Sequence, residues 1–183
     1  NCIVYGYPGP TAMGRILQEA AAGRLANTYD AGIDINFPFD YSMMPNRRIL
    51  FMPILASVGC CNNCDFCCVA ARQKGTYRLR RIKHVISDIR AIQDHTRRFF
   101  VVDCNIYNNR SYLLSLCHEI ERTGHRFLWA ADATVDIGED DEALSALHDS
   151  GCRLLYIGLE TPNQQSLNAV HKPYKSVTYA SAI

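Results

Sequence analysis

Between Ile49 and Val170 the chain repeats one unit four times: a short, nearly continuous apolar run, then a stretch with helical spacing. The apolar runs are Ile49 to Ala56, Phe99 to Val102, Phe127 to Ala131 and Leu154 to Leu159. Strands that are apolar at successive positions belong to parallel sheets covered by crossover helices. The intervening stretches supply such helices. Val85, Ile86, Ile89 and Ile92 share one face of Lys83 to Arg97, and Leu113, Leu114, Cys117 and Ile120 share one face of Ser111 to Arg122. A third helix is expected over Asp140 to Asp149, closed by Gly151, and a fourth from Asn163 to Val170. The rhythm predicts an α/β fold, a partial (β/α) barrel of parallel strands and crossover helices. Pro53 weakens the first strand by removing one ladder donor. In such barrels chemistry gathers at the C-terminal ends of the strands. There this sequence places a cysteine-rich loop, Asp103, Asp132 and Glu160.

The N-terminal part lacks that rhythm. Cys2 to Tyr5 reads as a strand, followed by a Gly/Pro loop and a helix that Thr11 can cap, with Met13, Ile16, Leu17, Ala20 and Ala21 on one face. Residues 25–48 show no period and contain Gly32, Pro38 and Pro45. The expected layout is the tail of an N-terminal α/β domain over 1–24, an extended linker over 25–48 and the first part of the barrel over 49–183. Asn1 and Ile183 read as internal positions of a longer protein.

Composition narrows the class. Of 183 residues, 48% are hydrophobic and 20% charged, and the net charge of +1 gives no basic face for nucleic acid or membrane. No apolar run approaches the ~20 residues of a transmembrane helix, and no secretory signal is visible. The run Arg78, Arg80, Arg81, Lys83 reads as a solvated helix entry rather than an RNA surface. Five of the nine cysteines fall between Cys60 and Cys68. A disulfide framework would scatter them, so a local metal site in a reducing, cytoplasmic setting is expected.

Within that cluster only Cys60, Cys64 and Cys67 fit the spacing C-x-x-x-C-x-x-C. Thiolates hold iron–sulfur clusters, and three of them on a tight loop leave a fourth iron without a protein ligand. A zinc site would want four ligands, usually as two spaced pairs, and no second pair exists. The six histidines do not pair at ligand spacing. Cys2, Cys104, Cys117 and Cys152 are expected to behave as small buried apolar residues.

The loop, with Phe66 just before its third cysteine and a barrel strand before it, resembles the radical S-adenosylmethionine (SAM) superfamily. More narrowly, the chain resembles members that carry a cobalamin-binding domain. Gly75-Thr76-Tyr77-Arg78-Leu79-Arg80 is similar to their glycine and R-x-R stretch. Ser150-Gly151-Cys152 and Gly158-Leu159-Glu160-Thr161 are similar to their S-G-C and G-x-E-S segments, with Thr161 in place of serine. The resemblance implies a radical SAM barrel with a 4Fe–4S cluster held by Cys60, Cys64 and Cys67. It implies reductive cleavage of SAM to a 5′-deoxyadenosyl radical, and favours cobalamin-dependent methylation of an unactivated carbon. The implied partners are a small-molecule or lipid-like substrate and an electron donor such as a flavodoxin or ferredoxin. Phe66 would pack near the adenine, Asp103 would meet the methionine amino group, and Asp132 and Glu160 would contact the ribose or methionyl part. Lys172 would lie near the carboxylate, although a solvated helix-end charge is the plainer reading. Two departures stand out. Cys104 occupies the place of a second acid, and the D-x-H-x-x-G signature of cobalamin's lower ligand is absent, so these residues alone are not expected to hold cobalamin.

Two other readings carry their own signatures. A methylthiotransferase would bring a second cysteine-rich N-terminal domain, for which Cys2 alone is insufficient. An electron-transfer iron–sulfur module would need a fourth cysteine, and Cys104, at a neighbouring strand end, is the candidate.

Overall fold

A computed structural model of the chain describes residues 2–41, 49–73, 75–174, 176 and 179–182. Residues 42–48 of the expected linker, and both terminal positions, lie outside the described residues. The chain forms two compact units, Asn1–Phe39 and Asp40–Ile183.

The first unit is a parallel βαβ: β1 (Ile3–Tyr7), α1 (Pro10–Ala21) and β2 (Thr28–Ile33). Gly9 caps the helix and Pro10 takes its first turn, so Thr11 is not the cap. Proline suits that position because its missing N–H would have no helical partner there. β2 falls inside the stretch expected to be a linker. Among its residues only Tyr29 is buried, so it has no apolar run to announce it. Backbone pairing to β1 makes the strand instead. The two strands approach so closely that a Cβ on Gly6 would sit 2.1 Å from the Gly32 carbonyl oxygen.

The second unit begins with β3 (Met52–Ile54), β4 (Ser57–Gly59), α2 (Cys68–Gln73), β5 (Tyr77–Leu79) and α3 (Ile82–Ala91). It continues through β6 (Arg98–Val101), α4 (Arg110–Arg122), β7 (Leu128–Ala133) and α5 (Asp141–Asp149). It ends with β8 (Cys152–Ile157), α6 (Gln164–Ala169) and α7 (Tyr179–Ala182). β3, β6, β7 and β8 form one parallel sheet in that order, open and not closed into a barrel among the described residues. β3 is an edge strand, where Pro53 is tolerated. On one face of the sheet, Ile54, Phe99, Val101, Trp129 and Ala131 pack with Val85, Ile89, Leu113, Leu116, Ile120, Ala143 and Leu147 of the three helices. Phe51, Leu128, Leu154 and Tyr156 remain exposed beside Phe100 and Ala130, around a groove of about 510 Å³.

Several boundaries differ from the sequence reading, each for a local reason. α3 stops at Ala91 and not near Arg97, because the apolar spacing ends with Ile92. β7 runs past Ala131 to Ala133, so Asp132 lies within the strand, in register with Tyr156 of β8. β4, α2 and β5 are additions of three to six residues each. The segment Ser150-Gly151-Cys152 is the turn from α5 into β8. Trp129 Nε1 donates to the Ser150 carbonyl at 3.1 Å. A Cβ on Gly151 would meet the Phe127 carbonyl oxygen at 2.1 Å.

Candidate active site

The cysteine loop is closed at its foot by the antiparallel pair β4–β5, with Gly59 opposite Tyr77. Residues 60–76 are therefore one excursion from a fixed base. Ala56 ties that base together. Its N–H donates to Asp103 Oδ1 at 2.8 Å, and its carbonyl accepts from the Arg80 N–H at 2.9 Å and the Tyr112 hydroxyl at 3.1 Å. The Arg80 guanidinium donates to the Leu55 carbonyl and to Asp88 Oδ2, both at 2.7 Å. Arg80 is thus not a solvated helix-entry charge. Its side chain is 0% exposed, as is that of Asp88. The R-x-R resemblance becomes physical here, with Arg78 outside and Arg80 inside on either side of Leu79.

The tip of the loop is held from the other direction. The Asp65 N–H donates to the Val170 carbonyl at 3.1 Å, and Asp65 Oδ2 lies 3.0 Å from His171 Nδ1. Asn62 Nδ2 donates to the Tyr174 hydroxyl at 2.6 Å. The Cys67 N–H closes a turn onto the Cys64 carbonyl, and α2 starts directly after it.

Cys60, Cys64 and Cys67 line a cleft of about 230 Å³ together with Phe66, Asp132, Glu160 and Lys172. All the residues picked out by sequence, save Asp103, are thereby brought to one place. Lys172 Nζ donates to Glu160 Oε1 at 2.8 Å and to the Gly158 carbonyl at 2.9 Å. It also lies 5.7 Å from the ring centre of Phe66 and 5.6 Å from that of Tyr174, within cation–π range. Its side chain is 9% exposed, so it is a cleft group and not a solvated helix-end charge. Gly158 makes room for the pair, since a Cβ there would sit 2.8 Å from Glu160 Oε1. Glu160 itself holds a left-handed backbone, φ 63°. Burial raises the pKa of Asp132. Burial also raises that of Cys64, with Lys172 pulling it down.

Asp103 is the exception. It is 3% exposed and turned into the base of the loop. Burial lifts its pKa to about 6, against the pull of Ser57, the Ala56 N–H and the Arg80 charge. Asn105 is likewise 3% exposed, and its side chain accepts from the Tyr107 N–H to cap a short 3-10 turn, Ile106–Asn108. With Asp103 turned into the base and Asn105 held by its cap, the exposed Cys104 lines the cleft. It is not the small buried apolar residue expected, whereas Cys117 and Cys152 are. Asn62, Asn105, Thr134, Tyr156 and Tyr174 also line the cleft, and no motif in the sequence signalled them.

Among the described residues, no three acidic, imidazole or thiol groups close around a single ion. The three thiols line one cleft, and three thiolates on one loop are a donor set suited to an iron–sulfur cluster.

Comparison with known proteins agrees with this geometry. The profile of the Radical SAM superfamily matches residues 54–183. The chain belongs to the radical SAM superfamily. The family uses a 4Fe–4S cluster and SAM. The chain is 29% identical over 140 residues to the hopanoid C-2 methylase of Rhodopseudomonas palustris, covering 73% of this chain and 27% of that protein. It is 30% identical over 125 residues to the bacteriochlorophyllide d C-12(1)-methyltransferase of Chlorobaculum tepidum, covering 66% and 27%. It thus spans about a quarter of the length of these relatives. Among solved structures, the radical SAM methyltransferase TsrM from Kitasatospora setae, with cobalamin and a 4Fe–4S cluster bound, superposes with a TM-score of 0.64 at 18% identity. That match covers 72% of this chain and 28% of TsrM. The cobalamin-dependent radical SAM enzyme OxsB superposes with a TM-score of 0.66 at 14% identity over 92% of this chain and 29% of OxsB. At these identities the likeness is one of fold.

Proposed function

We propose that this radical SAM domain binds its cluster through Cys60, Cys64 and Cys67, binds SAM in the adjoining cleft, and serves a cobalamin-dependent methylation of an unactivated carbon. The observation that carries the reading is the shared cleft: three thiols on one loop, faced by Asp132 and the Lys172–Glu160 pair. When bound, the cluster and SAM supply a one-electron cleavage that yields methionine and a 5′-deoxyadenosyl radical. The residues of this chain hold and orient. Lys172 and Glu160 present one positive and one negative group, which can exchange partners with the carboxylate and amino groups of SAM. The Asp132 carboxylate makes no hydrogen bond among the described residues and is placed to accept one from the ligand. Phe66, 54% exposed over the cleft, offers a face for the adenine.

Methylation is inferred from the hopanoid and bacteriochlorophyllide relatives, and a small-molecule or lipid-like substrate follows from the same likeness. Cobalamin belongs to the rest of such a protein. The electron would come from a flavodoxin- or ferredoxin-type donor in the cytoplasm. No helix among the described residues is long and apolar enough to cross a membrane. A methylthiotransferase reading draws on 29% identity over 158 residues to the tRNA-2-methylthio-N(6)-dimethylallyladenosine synthase of Salinispora arenicola.

The test is anaerobic reconstitution of the full-length protein with iron and sulfide, then EPR of the reduced cluster with and without SAM, and assay of 5′-deoxyadenosine. A 4Fe–4S signal that shifts with SAM, with 5′-deoxyadenosine formed, is expected. A signal indifferent to SAM, with no 5′-deoxyadenosine formed by the parent or by a Cys104→Ala variant, would overturn the reading.

A further inference from the structure

Resting on that reading, we propose that Cys104 is a fourth, displaceable ligand of the cluster, bound to its open iron until SAM takes that iron. Of the six cysteines outside the C-x-x-x-C-x-x-C triad, Cys104 is the one placed in the cleft that the triad lines. Cys117 and Cys152 are 1% and 6% exposed in the core, Cys61 opens onto an adjoining cavity, Cys68 starts α2 and does not line the cleft, and Cys2 belongs to the other unit. The position is built rather than incidental. Asp103 is fixed by the Ala56 N–H, and Asn105 is fixed by its cap on Tyr107 and its bond to Thr134 Oγ1 at 3.2 Å. Cys104 thus sits between two anchored neighbours and opens onto the cleft. Cys104 shares that cleft with Cys60, Cys64 and Cys67. The cleft thus carries four thiols, the number that completes a 4Fe–4S site.

The competing donors are weaker. Glu160 is engaged by Lys172, and carboxylate, amide and phenol oxygens are harder ligands than a thiolate for an iron–sulfide cluster. On binding, the Cys104 thiol releases its proton to water as the Fe–Sγ bond forms. When SAM arrives, the Fe–Sγ bond would break, the SAM ammonium would give one proton to the departing Cys104 thiolate, and the freed amino nitrogen and the carboxylate oxygen would bind that iron. No electron moves in either direction. The exchange caps the vulnerable iron in the absence of SAM.

The test compares the reconstituted full-length protein with its Cys104→Ala and Cys104→Ser variants, each with and without SAM. The first readout is loss of one iron on mild ferricyanide oxidation, followed as the 3Fe–4S EPR signal. The second is the Mössbauer spectrum of the open iron. Without SAM, the variants are expected to lose iron roughly tenfold faster than the parent, and the parent alone should show four sulfur-ligated irons. With SAM the difference should vanish. Equal iron loss and equal spectra without SAM would overturn the proposal, as would an Asp132→Ala variant that alone shows the change. A parent cluster indifferent to SAM beside a responsive Cys104→Ala cluster would make Cys104 a permanent ligand and overturn displacement. If no protein responds to SAM, the radical-enzyme reading falls, while the iron-loss comparison still decides whether Cys104 is a ligand.

Discussion

The pair Arg80–Asp88 and the pair Lys172–Glu160 have nearly the same separation, 2.7 and 2.8 Å, and opposite surroundings. The first lies beneath the cysteine loop with both side chains 0% exposed, and Arg80 also grips the Leu55 carbonyl. The second stands in the cleft, with Glu160 41% exposed and Lys172 beside two aromatic rings. A fully desolvated pair has no low-energy alternative to its partner, so it fixes geometry. A pair at the edge of water exchanges partners at little cost, so it is suited to receive a ligand. One arrangement holds the loop, and the other leaves charged groups where the ligand proposed for the cleft would meet them.

The largest effect should come from breaking the buried pair. Arg80→Met leaves the buried Asp88 charge without its guanidinium, a change of about 3–5 kcal/mol. It should accelerate hydrogen exchange at the Ala56 and Arg80 amides and prevent cluster assembly. Replacing both partners, as Arg80→Met with Asp88→Leu, should recover most of the loss, because no orphaned charge remains. If Arg80→Met alone leaves exchange within about 1 kcal/mol of the parent, the pair is not what holds the base, and the contrast drawn above fails.

Asp103 gives a second handle on the same base. Its pKa rises from 3.8 to about 6 on folding, because burial penalises its charged form. The folded protein therefore binds this proton more tightly than the unfolded chain does. Its contribution to stability is full below pH 3.8 and is lost as the pH climbs to about 6, a change of roughly 3 kcal/mol. Asp103→Asn keeps an oxygen for the Ala56 N–H and has no charge to bury. Hydrogen exchange at Ala56, measured from about pH 4 to about pH 7, should lose this pH dependence in the variant. An unchanged slope would place the titration elsewhere.

That Asp103 belongs to the base and Lys172 to the cleft could not be read from the sequence, and the reason is specific. The sequence carried what depends on local pattern: the parallel strands, their crossover helices and the thiol triad of the loop. It also located the strand ends, to within a few residues. It did not carry which way a side chain leaves an irregular segment. Positions 103, 104 and 105 follow the last residues of β6, and their directions are set by partners at Ala56, Tyr107 and Thr134, two of them far away in sequence. Lys172 looked like a helix-end charge because its partners, Gly158 and Glu160, stand on the other side of α6 in sequence. β4 and β5 escaped notice because each has three residues and they pair across the whole cysteine excursion.

On the cleft side the effects on folding should be small and those on SAM large. Glu160→Gln and Lys172→Met each remove one member of a partly exposed pair, a change of about 1 kcal/mol or less. Both should assemble a cluster with the parent's EPR signal and fail to shift it with SAM, or need roughly tenfold more SAM to do so, as a lost charge-assisted contact would require. A variant that loses the cluster itself would show that the cleft pair is part of the foundation after all.

The finest test is Glu160→Gly. Glu160 sits at φ 63°, a left-handed conformation that costs an L-residue about 1 kcal/mol and glycine almost nothing. The substitution also removes the partner of Lys172, a loss of similar size at a half-exposed site. The two terms nearly cancel, so stability should move by less than about 1 kcal/mol in either direction, while the SAM-induced EPR shift should disappear. Unstrained backbone with no response to SAM would mean that the chain tolerates Glu160 in this conformation for the sake of its carboxylate. A Glu160→Gly variant that still responds fully to SAM would assign the strain to the turn alone, leaving Asp132 and Lys172 to position the ligand.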